Sequence, residues 1–467
     1  MIKELPLKLD RGAKTSLTEQ IFTDIGNAIR NGTLQPGSRL PSWQDLATQL
    51  GVARGTVRIA YEKLAASQLV VASRAHGTRV TSVPSPKSLK EQRPPSGSFL
   101  QTYLEMTEGP AFFQPGIPAQ SAFPATLFSR IRSNAVRLEA SSAPIYPDPR
   151  GEPELRKEIA AYLAVARGFE CLPTQIIVTA GYAGGLGVVL RALGLEGQET
   201  WMEDPGFPFT RHALELARVS PVPVPVDLAG LNVEAGIQRG PKARLVVVTP
   251  GQQAPTGVTM SLERRLALIE WASSRGAWII EDDYLSELQL VGRAAPAIAS
   301  LDRRGCVIHI GSFSKTLTPT LRVGFVVAPE SLATRLGEVA ACLSPPPSPS
   351  TQLAIAEFMK EGHYIRHLRR LKRLYVSNQK TLLGGLSEHG ICASAAGLSV
   401  TVPLPANISD IAVAREALSF GLGPTPLSPW FAGKMTASGL ILSVATIPTQ
   451  NLERSFEGLN RTLARFL

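Results

Sequence analysis

The stretch Gly311-Ser312-Phe313-Ser314-Lys315-Thr316, followed by Leu321-Arg322-Val323-Gly324-Phe325, decides how this 467-residue chain is read. An apolar run, Val307 to Ile310, leads into it, and a second, Phe325 to Ala328, leaves it. Lys315 therefore sits in a small hydroxyl-rich loop between two strands, with Arg322 seven residues on. A lysine amine condenses with an aldehyde when it arrives uncharged. The hydroxyls of Ser312 and Ser314 and the fork of Arg322 suit a phosphate. An aldehyde and a phosphate on one small molecule describe pyridoxal phosphate (PLP).

A second stretch adds weight. Glu281-Asp282-Asp283-Tyr284 follows the apolar run Ala277-Trp278-Ile279-Ile280, which puts carboxylates at the end of a buried strand. PLP needs a carboxylate against its pyridine nitrogen for the ring to act as an electron sink, and Asp282 is the candidate. Tyr284 lies two residues on, on the same side of an extended chain, within reach of the ring oxygen. Together, EDDY and SFSKTL-x-P-x-LRVGF resemble the fold-type I aminotransferases. More narrowly, they resemble the aminotransferase-like half of the MocR subfamily of GntR-type transcriptional regulators, and the likeness extends over nearly the whole chain.

Bulk composition sets limits. The length implies two or three domains. No apolar run has the length of a membrane span, and MIKELPLKLDRG lacks the apolar core of a signal peptide. Cys171, Cys306, Cys342 and Cys392 have no C-x-x-C spacing and read as reduced thiols, so a cytoplasmic protein without bound metal is expected. His363 and His367 stand i, i+4 among Arg366, Arg369, Arg370, Lys372 and Arg373, which reads as a solvated basic helix face. A net charge of +10 permits an acidic partner, and where the charge falls decides more.

Residues 11–81 read as one compact α+β unit. Leu17, Ile21, Ile25 and Ile29 fall on one helical face. Ser42 is an N-cap with Asp45 three residues later, and a short helix from Trp43 stops at Gly51. A second helix follows from about Arg54, and a Gly-containing link between two short helices is a helix-turn-helix signature. Leu69 to Ala72 and Thr78 to Val80, joined through Arg74-Ala75-His76-Gly77, form a wing hairpin. The run PGSRLPSWQDLATQLGVARGTVRIAYEKL resembles the GntR winged helix-turn-helix. That resemblance implies double-stranded operator DNA as partner. Phosphate contacts would come from Arg39 and Ser42, base-edge contacts from near Arg54, Thr56 and Arg58, and the wing would turn at Gly77. Gly55 departs from the pattern, because a polar residue is usual there.

Residues 82–110 have the Pro-, Ser- and Lys-rich composition of a linker. From 111 to 467 strands and helices alternate, the mark of an α/β domain with a mostly parallel sheet. Its large part spans about 111–345 and a small C-terminal α+β part about 375–467, with one long basic helical region over Thr351 to Leu386. The resemblance implies further roles. Tyr146 reaches the cofactor phosphate of a neighbouring subunit, and the amides around Tyr182 and Ala183 hold the phosphate at a helix N-terminus. Phe207 stacks on the pyridine ring, and Gln253 bonds the ring oxygen. Arg211 remains as the cation for a ligand's acid group, because Ile441 stands where relatives carry a carboxylate-clamping arginine.

The combination implies a PLP-binding transcriptional regulator that senses an amine or amino-acid-like effector by aldimine exchange at Lys315. A homodimer is implied, with the winged domain swapped onto the partner subunit. Two alternatives stand beside it: an aminotransferase with a fused DNA-binding domain, and a direct sensor of PLP level.

Overall fold

The computed structural model describes residues 5, 7–13, 15–73, 77–81, 97, 99–107, 111–290, 292, 295–448 and 450–467. The chain divides into two compact units, Met1–Leu104 and Glu105–Leu467. Arg74 at the expected wing tip and most of the expected linker lie outside the described residues.

In the first unit, helix α1 (Leu17–Arg30) starts at Ser16, whose hydroxyl accepts from Glu19 N. Helix α2 (Trp43–Leu50) is capped by Ser42, which accepts from Asp45 N at 3.1 Å and donates to Asp45 Oδ2 at 2.7 Å. Gly51 ends it with φ +61, a conformation that costs other residues more. Helix α3 (Arg54–Ala66) follows after the turn at Val52 and Ala53. Strands β1 (Val70–Ser73) and β2 (Gly77–Val80) pair antiparallel, Val70 opposite Val80. Ile21, Ile25, Leu46, Val57 and Leu64 are fully buried between these elements.

The second unit begins in helix α4 (Phe99–Thr107), so part of the stretch read as linker is helical. Helices α5 (Ala125–Ser141) and α6 (Pro153–Arg167) precede the main sheet. Then come β3 (Ile176–Thr179), α7 (Gly181–Leu193), β4 (Glu199–Asp204), α8 (Pro208–Leu216), β5 (Ser220–Asp227), β6 (Gly230–Leu231), α9 (Val233–Arg239) and β7 (Leu245–Val248). They continue through α10 (Leu262–Arg275), β8 (Trp278–Asp283), α11 (Ile298–Leu301), β9 (Val307–Ser312), β10 (Gly324–Val327) and α12 (Glu330–Leu343). The strand order is β3-β10-β9-β8-β7-β4-β5-β6. From β9 to β5 the neighbours run parallel, as the near-continuous apolar strands suggested. β10 lies antiparallel to both β9 and β3. The Lys315 loop therefore joins two paired strands, with Ser312 opposite Gly324 at its mouth.

Helix α13 (Pro349–Lys360) and helix α14 (His363–Glu388) form the long helical region expected from the sequence, but Gly362 at φ +68 splits it. A smaller antiparallel sheet follows, built from β11 (Ser394–Ala396), β12 (Ser399–Leu404), β13 (Thr425–Pro426) and β14 (Ser438–Ser443) in the order β11-β12-β14-β13. Helices α15 (Asp410–Leu418) and α16 (Leu452–Ala464) complete it. Among the described residues no helix is long and apolar enough to cross a membrane.

The reciprocal Ser42–Asp45 cap predicts a local effect. Ser42→Ala should cost α2 about 1 kcal/mol. Hydrogen exchange of the Leu46 to Leu50 amides should then lose roughly fivefold in protection, while the second unit is unchanged.

Candidate cofactor site and nucleic-acid interface

The three carboxylates at the end of β8 divide by strand alternation. Glu281 and Asp283 share one face, where His309 Nδ1 lies 3.2 Å from Glu281 and Nε2 lies 3.8 Å from Asp283. Arg167 of α6 donates to Asp283 at 2.8 Å, and Glu281 accepts the amides of Ile298 and Ala299 at 2.7 and 3.1 Å. Burial works against charge on His309. The hydrogen bond and charge of Glu281, with Asp283, outweigh it and hold the imidazole above its ordinary range.

Asp282 faces the other way. Burial, then the charges of Asp283 and Glu203, push its carboxyl well above the usual range, while Lys315 and the Tyr182 hydroxyl pull it back. Tyr182 also shares a 2.9 Å hydrogen bond with Thr210. Tyr284 stands just past β8, where burial and the same carboxylates raise its phenol. Lys315 Nζ donates to Gly116 O at 2.7 Å, and a Cβ at Gly116 would lie 2.8 Å from that nitrogen. Burial pushes the Lys315 amine down to about 8, with Asp282 opposing and Arg322 assisting. A lysine so placed is partly uncharged near neutrality, as attack on a carbonyl requires.

Arg322 supplies the test of fit for PLP. Helix α7 starts at Gly181, φ +73, and no side chain caps it. Its first amides thus have no partner within the helix. Arg322 Nη2 donates to Ala180 O at 3.2 Å, and the guanidinium lies 3.6–3.7 Å from where a Gly181 Cβ would stand. A cation at the positive end of a helix is unfavourable unless an anion joins them. Ser312 and Ser314, in the same loop, are half-buried, with Ser314 N donating to Ser312 Oγ. The donor set suits a phosphate. The lone buried Asp282 suits a cationic ring nitrogen, which would favour its ionised form.

Other expected residues fall differently. Gln253 is buried, but its amide nitrogen donates to Glu203, Pro205 O and Ala254 O, and its oxygen accepts from Thr256. It holds the loop and leaves no donor free for a ring oxygen, which corrects that expectation. Phe207 is stacked on Phe209 at 4.9 Å and tilted against Trp430 at 5.7 Å. Arg211, one turn on, donates Nη2 to Pro429 O at 3.0 Å, while its buried Nη1 has no partner. Ile441, 2% exposed, packs with Leu427 and Trp430 in the apolar cluster that Phe207 joins. Tyr146 is 99% exposed and touches none of these groups. His367 is buried, not solvated as its basic neighbours suggested, and its Nε2 lies 2.7 Å from Thr316 O.

In the first unit, Arg39, Ser42, Arg54 and Arg58 are exposed, and Thr56 is half-buried. Helix α3 also begins without a side-chain cap, at Ala53. A Cβ at Gly55 would meet nothing within 4 Å, so no internal contact requires that glycine. Gly77 does have a reason: with φ +72, its Cβ would come within 2.9 Å of Arg39 Nε.

The pattern of the family described as "Bacterial regulatory proteins, gntR family" matches residues 17–80, and that of "Aminotransferase class I and II" matches residues 119–418. Over 99% of its length the chain is 34% identical to a probable rhizopine catabolism regulatory protein, MocR, of Rhizobium meliloti, covering 96% of that protein. It is 33% identical to the pyridoxine biosynthesis transcriptional regulator PdxR of Corynebacterium glutamicum, over 94% of each chain. The chain belongs to the MocR subfamily of GntR-type transcriptional regulators. Its body also resembles the α-aminoadipate aminotransferase LysN of Thermus thermophilus, solved with N-(5'-phosphopyridoxyl)-L-leucine. The TM-score is 0.69 at 28% identity, over 78% of this chain and 94% of that one.

This MocR-type site holds residues that the sequence did not single out. Glu203, at the end of β4, accepts from Thr249 N at 3.1 Å and Thr249 Oγ1 at 2.5 Å. Burial raises its carboxyl from 4.5 to about 7. Its only sequence signal is its place, at the end of an apolar strand, like Asp282. Thr316 gave none beyond lying beside Lys315, and Gly116 gave none.

The titrations of Lys315 and Glu203 are both open to test. Asp282→Asn removes the charge that raises Lys315, so in cofactor-free protein the amine should titrate below about 8. The pH profile of Lys315 acylation, read by mass spectrometry, checks this. Glu203 is raised on folding, so its contribution is fully present below pH 4.5 and is lost as pH rises through about 7. Glu203→Gln should flatten that part of the stability curve in denaturant titrations.

Proposed function

We propose that this chain is a PLP-binding, DNA-binding transcriptional regulator whose aminotransferase-like body takes an amine or amino-acid-like effector at Lys315. The observation that carries the reading is Arg322 held against the open start of α7, within the charge field of the half-buried Lys315. That arrangement is electrostatically incomplete without an anion and chemically idle without a carbonyl. When bound, PLP supplies that phosphate, an aldehyde carbon for the amine and a ring that withdraws electrons.

The chain's own residues have separable tasks. Arg322, the amides of Tyr182 and Ala183, and the hydroxyls of Ser312 and Ser314 hold the phosphate. Asp282 holds the ring nitrogen's proton, and Tyr284 faces the ring oxygen. Phe207 covers one face of the ring. Lys315 waits on Gly116 O as an amine that is readily uncharged. Arg211 offers its unpartnered Nη1 to an acceptor on the effector. Arg39, Ser42, Arg54, Thr56, Arg58 and Gly77 meet operator DNA. A homodimer is part of the proposal: Tyr146 and Ile145, 99% and 82% exposed, are set to be covered by a second subunit. A cytoplasmic location fits the four unpaired cysteines. Ile441 removes a charged anchor for an α-carboxylate, which weakens the positioning that turnover needs, so regulation with little transamination is expected.

The deciding experiment is an absorbance spectrum of purified protein with PLP beside Lys315→Ala. A visible band in the wild type that the variant lacks, and that shifts with amines, supports the reading. No band in the wild type overturns it. Steady product release from an amino donor and a keto-acid acceptor would favour the enzyme instead.

A further inference from the structure

Helix α14 carries charge that the fold does not use. Residues 105–467 hold 34 Lys and Arg against 31 Asp and Glu, a near balance. Five of those cations fall within 363–373, and that stretch has no carboxylate. Arg366, Arg370 and Arg373 recur at i, i+4 and i+7, with Arg369 beside them, and all four are exposed. The opposite stripe, Tyr364, His367, Leu368, Leu371 and Tyr375, is buried. The result is a ridge of guanidinium groups standing off one face of an anchored helix.

This ridge is unfavourable by itself in two ways. Like charges at i, i+3 and i, i+4 repel, and Arg366–Arg370, Arg369–Arg373, Arg366–Arg369 and Arg370–Arg373 all have that spacing. The cations also crowd the N-terminal half of α14, its positive end, and no acidic residue stands in the first turn. Arg366 is tied to Glu361 O and His363. Among the described residues, no carboxylate or hydrogen bond holds Arg369, Arg370 or Arg373. Arg370 and Arg373, with Ser121, Ala122 and Leu374, also line an open concavity of about 500 Å³.

We propose that this arginine ridge is a second DNA-contacting surface, which grips backbone phosphates alongside the winged domain. Seven residues of helix rise about 10 Å, against 3.4 Å per nucleotide along one strand, so the ridge spans about three phosphates. Exposed unpaired arginines, with serine at the rim and no aromatic platform, suit a phosphate backbone and carry no base readout. The buried face of the same helix reaches the Lys315 loop, where the proposed function places the effector. Tyr364 donates to Thr316 Oγ1 at 3.1 Å, and His367 lies against Thr316 O, next to Lys315. DNA on the ridge and a ligand at Lys315 would thus act on opposite faces of one helix.

The test uses PLP-treated, full-length protein and a 60-bp mixed-sequence duplex, with affinity read by fluorescence anisotropy across a salt series. Log affinity falls against log salt by about 0.9 for each phosphate contact. The triple variant Arg369→Gln, Arg370→Gln, Arg373→Gln should lose about 2–3 in that slope and roughly tenfold or more in affinity at 100 mM salt. The triple Lys variant, which keeps the charge, should retain the slope. An unchanged slope in the Gln variant overturns the proposal. So does a change in its sedimentation mass, which would make the ridge a subunit contact. Arg54→Gln with Arg58→Gln separates the two readings: if it too leaves affinity unchanged, the DNA-binding reading of the winged domain fails with it.

Discussion

The site depends on three consecutive carboxylates being forced to opposite sides of one strand. Glu281 and Asp283 turn to the face where His309 and Arg167 neutralise them, deep in the body. That pairing is costly to break, because a buried charge would be left uncompensated. With its neighbours anchored, Asp282 has no freedom to rotate away and must face Lys315. The carboxylate that faces the loop is thus the one opposed by Lys315, without the close ion pairs of its neighbours. Its raised titration comes from burial and from the like charges of Asp283 and Glu203, which Lys315 and Tyr182 only partly offset.

The Lys315 loop is positioned by a second constraint, the antiparallel insertion of β10. In a wholly parallel sheet, β9 would be followed by a crossover to a distant edge. Here the chain returns at once, Gly324 pairs with Ser312, and Arg322 is brought back over the start of α7. Helix α7 must then lie close to the sheet. Gly185 permits this, since a Cβ there would press to 3.1 Å from Val326 and 3.3 Å from Ile310. Gly185 therefore has a packing reason. For Gly55 in α3 no internal reason exists.

Local chemistry was legible where it stood in the chain itself. The bounds of α2 follow from Ser42 and Gly51, and the apolar runs before Glu281 and Gly311 located β8 and β9. What was not legible depends on partners far apart in sequence. Gln253 reads as a free polar side chain, yet Glu203, fifty residues earlier, takes its amide. His367 reads as one more cation on a wet face, yet Thr316, fifty-one residues away, turns it inward. Glu203 itself had no signal beyond closing an apolar strand. Glu361 and Gly362, the latter at positive φ, separate α13 from α14, and the sequence reading ran one helical region across them.

Arg322 and Arg211 are held in contrasting ways. Arg322 is fixed by a backbone carbonyl and aimed at open amides, so the arrangement for a cofactor phosphate is pre-organised. Arg211 is half engaged: one nitrogen is bound to Pro429 O, the other is buried and bare. Pro429 belongs to a segment that also hydrogen-bonds through Trp430 O to Gly206 N, and through the amides of Ala432 and Gly433 to Asp204. A ligand acid on Arg211 Nη1 would engage the same guanidinium that holds the strap through Nη2, which would couple the two. Catalysis favours anchors that do not move as the substrate binds. An anchor shared between ligand and strap suits a protein whose output is a change of state.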